Sequence, residues 1–148
     1  ETCRRLPRWY MPIVQRTGLG NTAWGRRYAE HFAMRDDPHD AVRDVDWMQG
    51  SALFIPSHVW WQLGGFDDRY WLYFEDIDLC RRARLAGHRV LYYPDIEIKH
   101  AHGKSSAKYK NHLVNLLINK EARAHLTSWA QYTWKWLRHP VKEQVPST

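Results

Sequence analysis

Glu75, Asp76 and Asp78 put three carboxylates within four residues of a 148-residue chain, in the run Phe74-Glu75-Asp76-Ile77-Asp78. Acids this close repel one another, so something must compensate them. Two arrangements can. The positive end of a helix favours each acid by about 0.3–1 kcal/mol, and Arg81, Arg82 and Arg84 further along suit the same dipole. A carboxylate held beside a substrate hydroxyl can instead take its proton as the oxygen attacks. Charge order alone does not choose between a capped helix and a reactive acid.

The surroundings are more specific than a helix cap requires. Gly64-Gly65-Phe66-Asp67 comes before the acids, with the aromatic stretch Tyr70-Trp71-Leu72-Tyr73-Phe74 between. His100 follows 24 residues after Asp76. The elements that would position these groups can be read from pattern. Ser51 to Ile55 is a short apolar run ending at Pro56 and reads as a buried strand. Ser57 is placed to cap a helix from His58 to Leu63, which Gly64-Gly65 ends. A second helix runs from about Glu75 to Ala86, with Gly87 as its stop. Arg89 to Tyr93 reads as a strand closed by Pro94. Asp95 to His100 alternates and reads as a half-buried strand. Ala107 to Leu126 has the spacing of a long helix, followed by an aromatic, basic tail from Trp129 to Leu137.

Residues 1–40 read as irregular and basic, with one helical piece around Ala23–Met34. Nine Trp and eight Tyr are an unusual aromatic load. Most serve a core, but such rings also stack on the C–H faces of sugars. The formal charge of +6 comes from dispersed basic residues, so a nucleic-acid partner is not expected. Cys3 and Cys80 make neither a disulfide framework nor a metal pattern, which fits a reducing cytoplasm. No apolar run approaches the roughly 18 residues of a membrane span. The first residue is Glu, and the chain reads as a fragment or a trimmed piece.

Four stretches together carry a resemblance. They are Val45-Asp46-Trp47-Met48-Gln49-Gly50-Ser51-Ala52-Leu53-Phe54-Ile55, Gly64-Gly65-Phe66-Asp67-Asp68-Arg69-Tyr70, Phe74-Glu75-Asp76-Ile77-Asp78-Leu79-Cys80-Arg81-Arg82, and Ala86 to Pro94 with His100. Over about residues 44–106 the chain resembles the acceptor-side half of glycosyltransferase family 2, nearest to its rhamnosyltransferase-like members.

The resemblance implies an α/β fold: a partial GT-A domain with a short mixed sheet, flanking helices and a C-terminal helical tail. Residues 1–44 would be the lead-in, 45–106 the acceptor-side catalytic half, and 107–148 the helix and tail. It implies inverting transfer from a nucleotide-diphosphate sugar to the hydroxyl of a glycan or lipid-linked acceptor, in cell-surface polysaccharide or glycolipid synthesis. By position in the motif, Asp76 is the base, Glu75 orients the acceptor and Asp78 supports the helix start. Trp47 and Trp71 are candidates for sugar stacking, each equally readable as a core ring. Gln49 is a candidate for a sugar hydroxyl, and Gly50 for close approach of backbone to the donor. A divalent cation, Mg²⁺ or Mn²⁺, would stabilise the leaving diphosphate. His100 is the candidate ligand or diphosphate contact, with His102 as its rival, and an imidazole ligand favours Mn²⁺.

The resemblance also places a nucleotide-binding half before Val45, and that pattern does not appear. Asp44-Val45-Asp46 has the D-x-D spelling of the family's metal motif but stands in the wrong place. Gly18-Leu19-Gly20 lacks the context of a phosphate loop. The 148-residue chain alone is therefore expected to be inactive. Two rivals remain: a non-catalytic carbohydrate- or partner-binding module, and a basic membrane-surface protein. Peripheral contact with the inner face of the membrane through residues 129–139 fits the transferase reading as well.

Overall fold

The computed structural model describes residues 3–98 and 118–138. Strand β1 (Cys3–Arg4) leads to helix α1 (Met11–Arg16), a 3-10 helix (Gly18–Asn21) and helix α2 (Ala23–Phe32). Short strands β2 (Arg43–Asp44) and β3 (Trp47–Met48) follow, then α3 (Ser57–Leu63), α4 (Glu75–Leu85), β4 (Leu91–Tyr92) and α5 (Lys120–Arg138). The protein is thus mixed α/β. In place of one short mixed sheet, the described residues form two separate antiparallel ladders of two strands each. Cys3 pairs with Met48 and Arg4 with Trp47; Arg43 pairs with Tyr92 and Asp44 with Leu91.

The helices end where local chemistry ends them. Gly64 takes the left-handed C-cap position of α3 at φ 72°, where a Cβ would be penalised. Gly87, at φ 86°, follows α4 in the same way. Ser57 is not the cap of α3: the cap position is Pro56, with no side-chain bond, and Ser57 is already helical. In the N-terminal region Thr22 caps α2 by accepting the Gly25 N–H at 3.0 Å.

Two expected strands are absent among the described residues. Ser51–Ala52 is a turn and bend and Leu53–Ile55 has no regular secondary structure, with Phe54 fully exposed. The Ala52 N–H is drawn back to the Gln49 carbonyl at 3.4 Å, so this run enters no ladder. Asp95 begins as a turn after Pro94, and Ile96 and Ile98 are exposed. Alternation predicts a face, but among the described residues no neighbouring strand covers it. His100 and the segment Ala107–Leu117 lie outside the described residues.

The core is built from α4 and α5 over the N-terminal segment. Ile77 and Cys80 of α4, Tyr132 and Trp136 of α5, Met11, Trp47, Tyr70 and Phe74 form one buried cluster. The aromatic tail is the second half of α5. Its i, i+4 pair Tyr132 and Trp136 turns inward, while Trp134 and Leu137 stay exposed. No helix of the described residues is long and apolar enough to cross a membrane.

Candidate active site

The approach to the acidic run is strained. Tyr73 and Phe74 both have left-handed backbones, at φ 67° and 71°. Each such residue costs of order 1–3 kcal/mol when it is not glycine, and is held only by its surroundings. The Phe74 ring is buried against Tyr132 and His125, with centroids 5.4 Å away in both cases. That packing holds the turn from which α4 starts. Glu75, Asp76 and Asp78 all fall in the first turn, where the dipole favours them, and Arg82 and Arg84 fall in the last.

From this position the Asp76 carboxylate reaches the loop after β3. Its Oδ2 accepts the Gly50 N–H at 2.8 Å, and its Oδ1 accepts the Ile77 N–H at 2.8 Å. Burial raises the Asp76 pKa above the ordinary carboxylate value, and the two amide bonds oppose that rise. Space does not require glycine at position 50: an added Cβ would sit 3.5 Å from the Asp76 Cβ, an ordinary contact. What Gly50 supplies is its N–H. Glu75 is also pushed up, first by burial, with the neighbouring Asp76 charge adding to it. Its Oε2 is buried without a hydrogen-bond partner.

Two residues with no motif of their own gather here. The His125 ring lies 5.2 Å from Tyr73 and 5.4 Å from Phe74. Burial, and secondarily the Arg16 guanidinium, push its pKa down to about 4, so it is neutral at pH 7. Its Nδ1 is buried and unpartnered. Nothing in the local sequence marks His125 or Arg16, because each reaches the loop through the tertiary fold.

Asp78 is fully buried and holds α5 in place. Its carboxylate accepts from Arg82 Nε at 2.8 Å, from Lys135 Nζ at 2.7 Å and from Trp136 Nε1 at 3.0 Å. Lys135 also donates to Asp67 at 2.8 Å, and Arg82 donates to the Leu63 and Gly65 carbonyls at the end of α3. Asp67 sits well below the usual carboxylate range, chiefly through its bond from Arg69 and also through Lys135. One network thus ties α3, the aromatic loop, α4 and α5 together behind Asp76.

The other expected site residues are placed as follows. Trp47 is a core residue: its indole N–H donates to the Arg5 carbonyl at 2.8 Å and its ring packs near Phe32. Burial leaves it no open face for stacking. Trp71 is exposed, with Lys120 Nζ 4.7 Å from its ring centroid. Gln49 is half-buried in the loop that presents Gly50. His100 and His102 lie outside the described residues. Asp44 and Asp46, the D-x-D spelling, are engaged by Arg89 at 2.6 Å and by Arg84. Asp46 also accepts the Leu6 N–H at 2.8 Å. Among the described residues no group of three or more acids, histidines or cysteines is arranged to hold a metal. Those residues by themselves do not fit a metal centre. A cleft of about 300 Å³ lies elsewhere, between residues 5–8, Tyr28, Phe32, Asp46 and Arg81.

A family model described as "Glycosyltransferase like family 2" matches residues 3–114. The chain is similar to N-acetylglucosaminyl-diphospho-decaprenol L-rhamnosyltransferase of Mycobacterium tuberculosis strain H37Rv, at 39% identity over 66 residues, 45% of this chain and 22% of the relative. The protein of that name from strain CDC 1551 / Oshkosh matches to the same extent. Rhamnosyltransferase WbbL of Escherichia coli strain K12 is 36% identical over 88 residues, 60% of this chain and 30% of the relative. The matched stretch therefore spans less than a third of the length of each of these relatives. No solved structure matches the chain.

Proposed function

This chain belongs to glycosyltransferase like family 2, and on that premise we propose that it forms the acceptor-side part of an inverting glycosyltransferase with a GT-A domain. Its base is Asp76. The observation that carries this reading is the Asp76 carboxylate: ionisable, raised by burial, and aimed by the Gly50 and Ile77 amides rather than neutralised by a cation. A general base works best when its pKa moves toward the working pH and its orientation is set in advance. Asp44, Asp46, Asp67 and Asp78 are all claimed by arginine or lysine; Asp76 is held by amides alone.

In the reaction the acceptor hydroxyl attacks the anomeric carbon of a nucleotide-diphosphate sugar from the face opposite the diphosphate. The hydroxyl proton passes to Asp76 as the bond forms. Glu75, with one buried oxygen lacking a partner, is suited to accept a hydrogen bond from the acceptor and orient it. The exposed Trp71 ring offers a stacking face, and Gln49 a hydrogen-bonding group beside Gly50. The names of the relatives favour rhamnose as the transferred sugar and a sugar on a polyprenyl diphosphate as acceptor. Mg²⁺ or Mn²⁺ belongs to this reading through the family likeness, with His100 as a proposed ligand; it would stabilise the leaving diphosphate.

The test is transfer from a nucleotide-diphosphate rhamnose by the full gene product. Asp76→Asn should bind donor normally and lose turnover. Near-normal turnover in that variant would sink the assignment.

A further inference from the structure

We infer that the surface formed by α1, the 3-10 helix and α2 docks onto an anionic lipid bilayer. The sequence there is strongly basic, with the exposed Glu30 near the end of α2 as the one acid of these three helices. From Thr2 to Ala29 there is no Asp or Glu, while Arg4, Arg5, Arg8, Arg16, Arg26 and Arg27 fall in the same stretch. Arg5 is engaged by Asp36 and Asp37. Arg8, Arg26 and Arg27 are exposed.

The same surface carries a continuous aromatic patch. Ring centroids stand 5.5 Å apart for Trp9–Tyr10, 5.7 Å for Tyr10–Trp24 and 6.0 Å for the stacked pair Trp24–Tyr28. Trp9 remains 60% exposed and Trp24 54%, and Ile13 and Leu19 are exposed with them. Amphipathic indoles settle at the headgroup level of a bilayer, and arginines beside them pair with lipid phosphates. Nucleic acid would use the arginines but leave Ile13 and Leu19 without a role. An apolar protein partner would leave the exposed Arg8, Arg26 and Arg27 unexplained.

The patch is pre-organised. Thr17 caps the 3-10 helix by accepting the Leu19 N–H at 3.3 Å, and Thr22 caps α2. Trp129 of α5 donates its indole N–H to the Trp9 carbonyl at 2.9 Å, fixing the segment that presents Trp9. α5 itself is a weaker candidate for the bilayer. Tyr132 and Trp136 are consumed by the core and Lys135 by Asp67 and Asp78, leaving Trp134 and Leu137 as its outward apolar groups in that region.

The experiment is co-sedimentation of the purified chain with phosphatidylcholine vesicles, with and without phosphatidylglycerol, at low and high salt. Binding is expected only with the anionic lipid, weakening as salt rises. The paired changes R26E/R27E and W9A/W24A should each weaken it by about tenfold or more, whereas W134A/L137A should leave it unchanged. Circular dichroism checks folding; Arg26 and Arg27 are exposed, so their reversal decides if the tryptophan pair fails to fold. Three results would overturn the inference: no anionic binding by the folded chain, binding lost in W134A/L137A but kept in R26E/R27E, or tighter binding to a DNA duplex than to the vesicles. None of these variants touches Glu75 or Asp76, so the surface is tested independently of the transfer chemistry.

Discussion

A carboxylate becomes a base through what surrounds it. Asp76 and Asp78 sit two residues apart on one helix, yet one is held by amides and the other is buried under cations. Asp76→Asn keeps a carbonyl oxygen for the Gly50 amide and loses the proton acceptor. Turnover should fall by about 10²–10⁴-fold with stability retained, read from initial rates and urea unfolding. In the active protein, the rate should decline as the pH drops through the raised Asp76 pKa, because only the ionised form accepts the proton. The strain at Tyr73 has its own test. Tyr73→Gly and Tyr73→Ala lose the same ring, but glycine tolerates φ 67°. Tyr73→Gly should be the more stable of the two by about 1 kcal/mol in urea unfolding, and equal stability would show that the turn stores no strain.

At the scale of elements, the contact between α4 and α5 rests on a buried ion pair within an aromatic layer. Removing one partner leaves the other charge desolvated and alone. Asp78→Ala should cost about 3–5 kcal/mol, measured by denaturant midpoint. Lys135→Met should cost as well, and the double variant should cost less than the sum, since the two changes remove one interaction. The outcome against this account is additivity. Hydrogen exchange should show α5 opening first in Asp78→Ala, because Asp78 is where Lys135, Trp136 and Tyr70 converge.

For the whole molecule, pH acts through groups whose folded environment departs from water. The unfolded chain protonates His125 below about pH 6.5, and the folded chain only below about 4. Between those values the unfolded state holds more protons, so stability falls as the pH is lowered. The loss should reach about 1–3 kcal/mol between pH 6.5 and 4, and should be absent or reduced in His125→Gln. The raised carboxyls of Glu75 and Asp76 act in the opposite direction, and comparing the two proteins cancels them. Asp67 acts in a separate window. Its pKa is lowered, so its contribution is present above the ordinary carboxylate value and is lost only in stronger acid.

Local chemistry was enough to read several elements. Glycine's tolerance of positive φ marked the ends of α3 and α4, and charge order marked the start of α4. The family was legible as a resemblance carried by four stretches, from Val45–Ile55 to Ala86–Pro94 with His100, and the family model matches residues 3–114. Strands were less legible. Ser51–Ile55 is an apolar run and Asp95–Ile98 alternates, but a strand exists only where a second chain segment accepts its hydrogen bonds. The site was divided in the same way. That Asp76 and Asp78 are acids at a helix start is sequence. That one faces Gly50, 26 positions away, and the other Lys135, 57 positions away, was decided only by the tertiary structure. The physical reason is that every residue except proline offers a backbone N–H, so the donor that aims Asp76 carries no signature in the sequence.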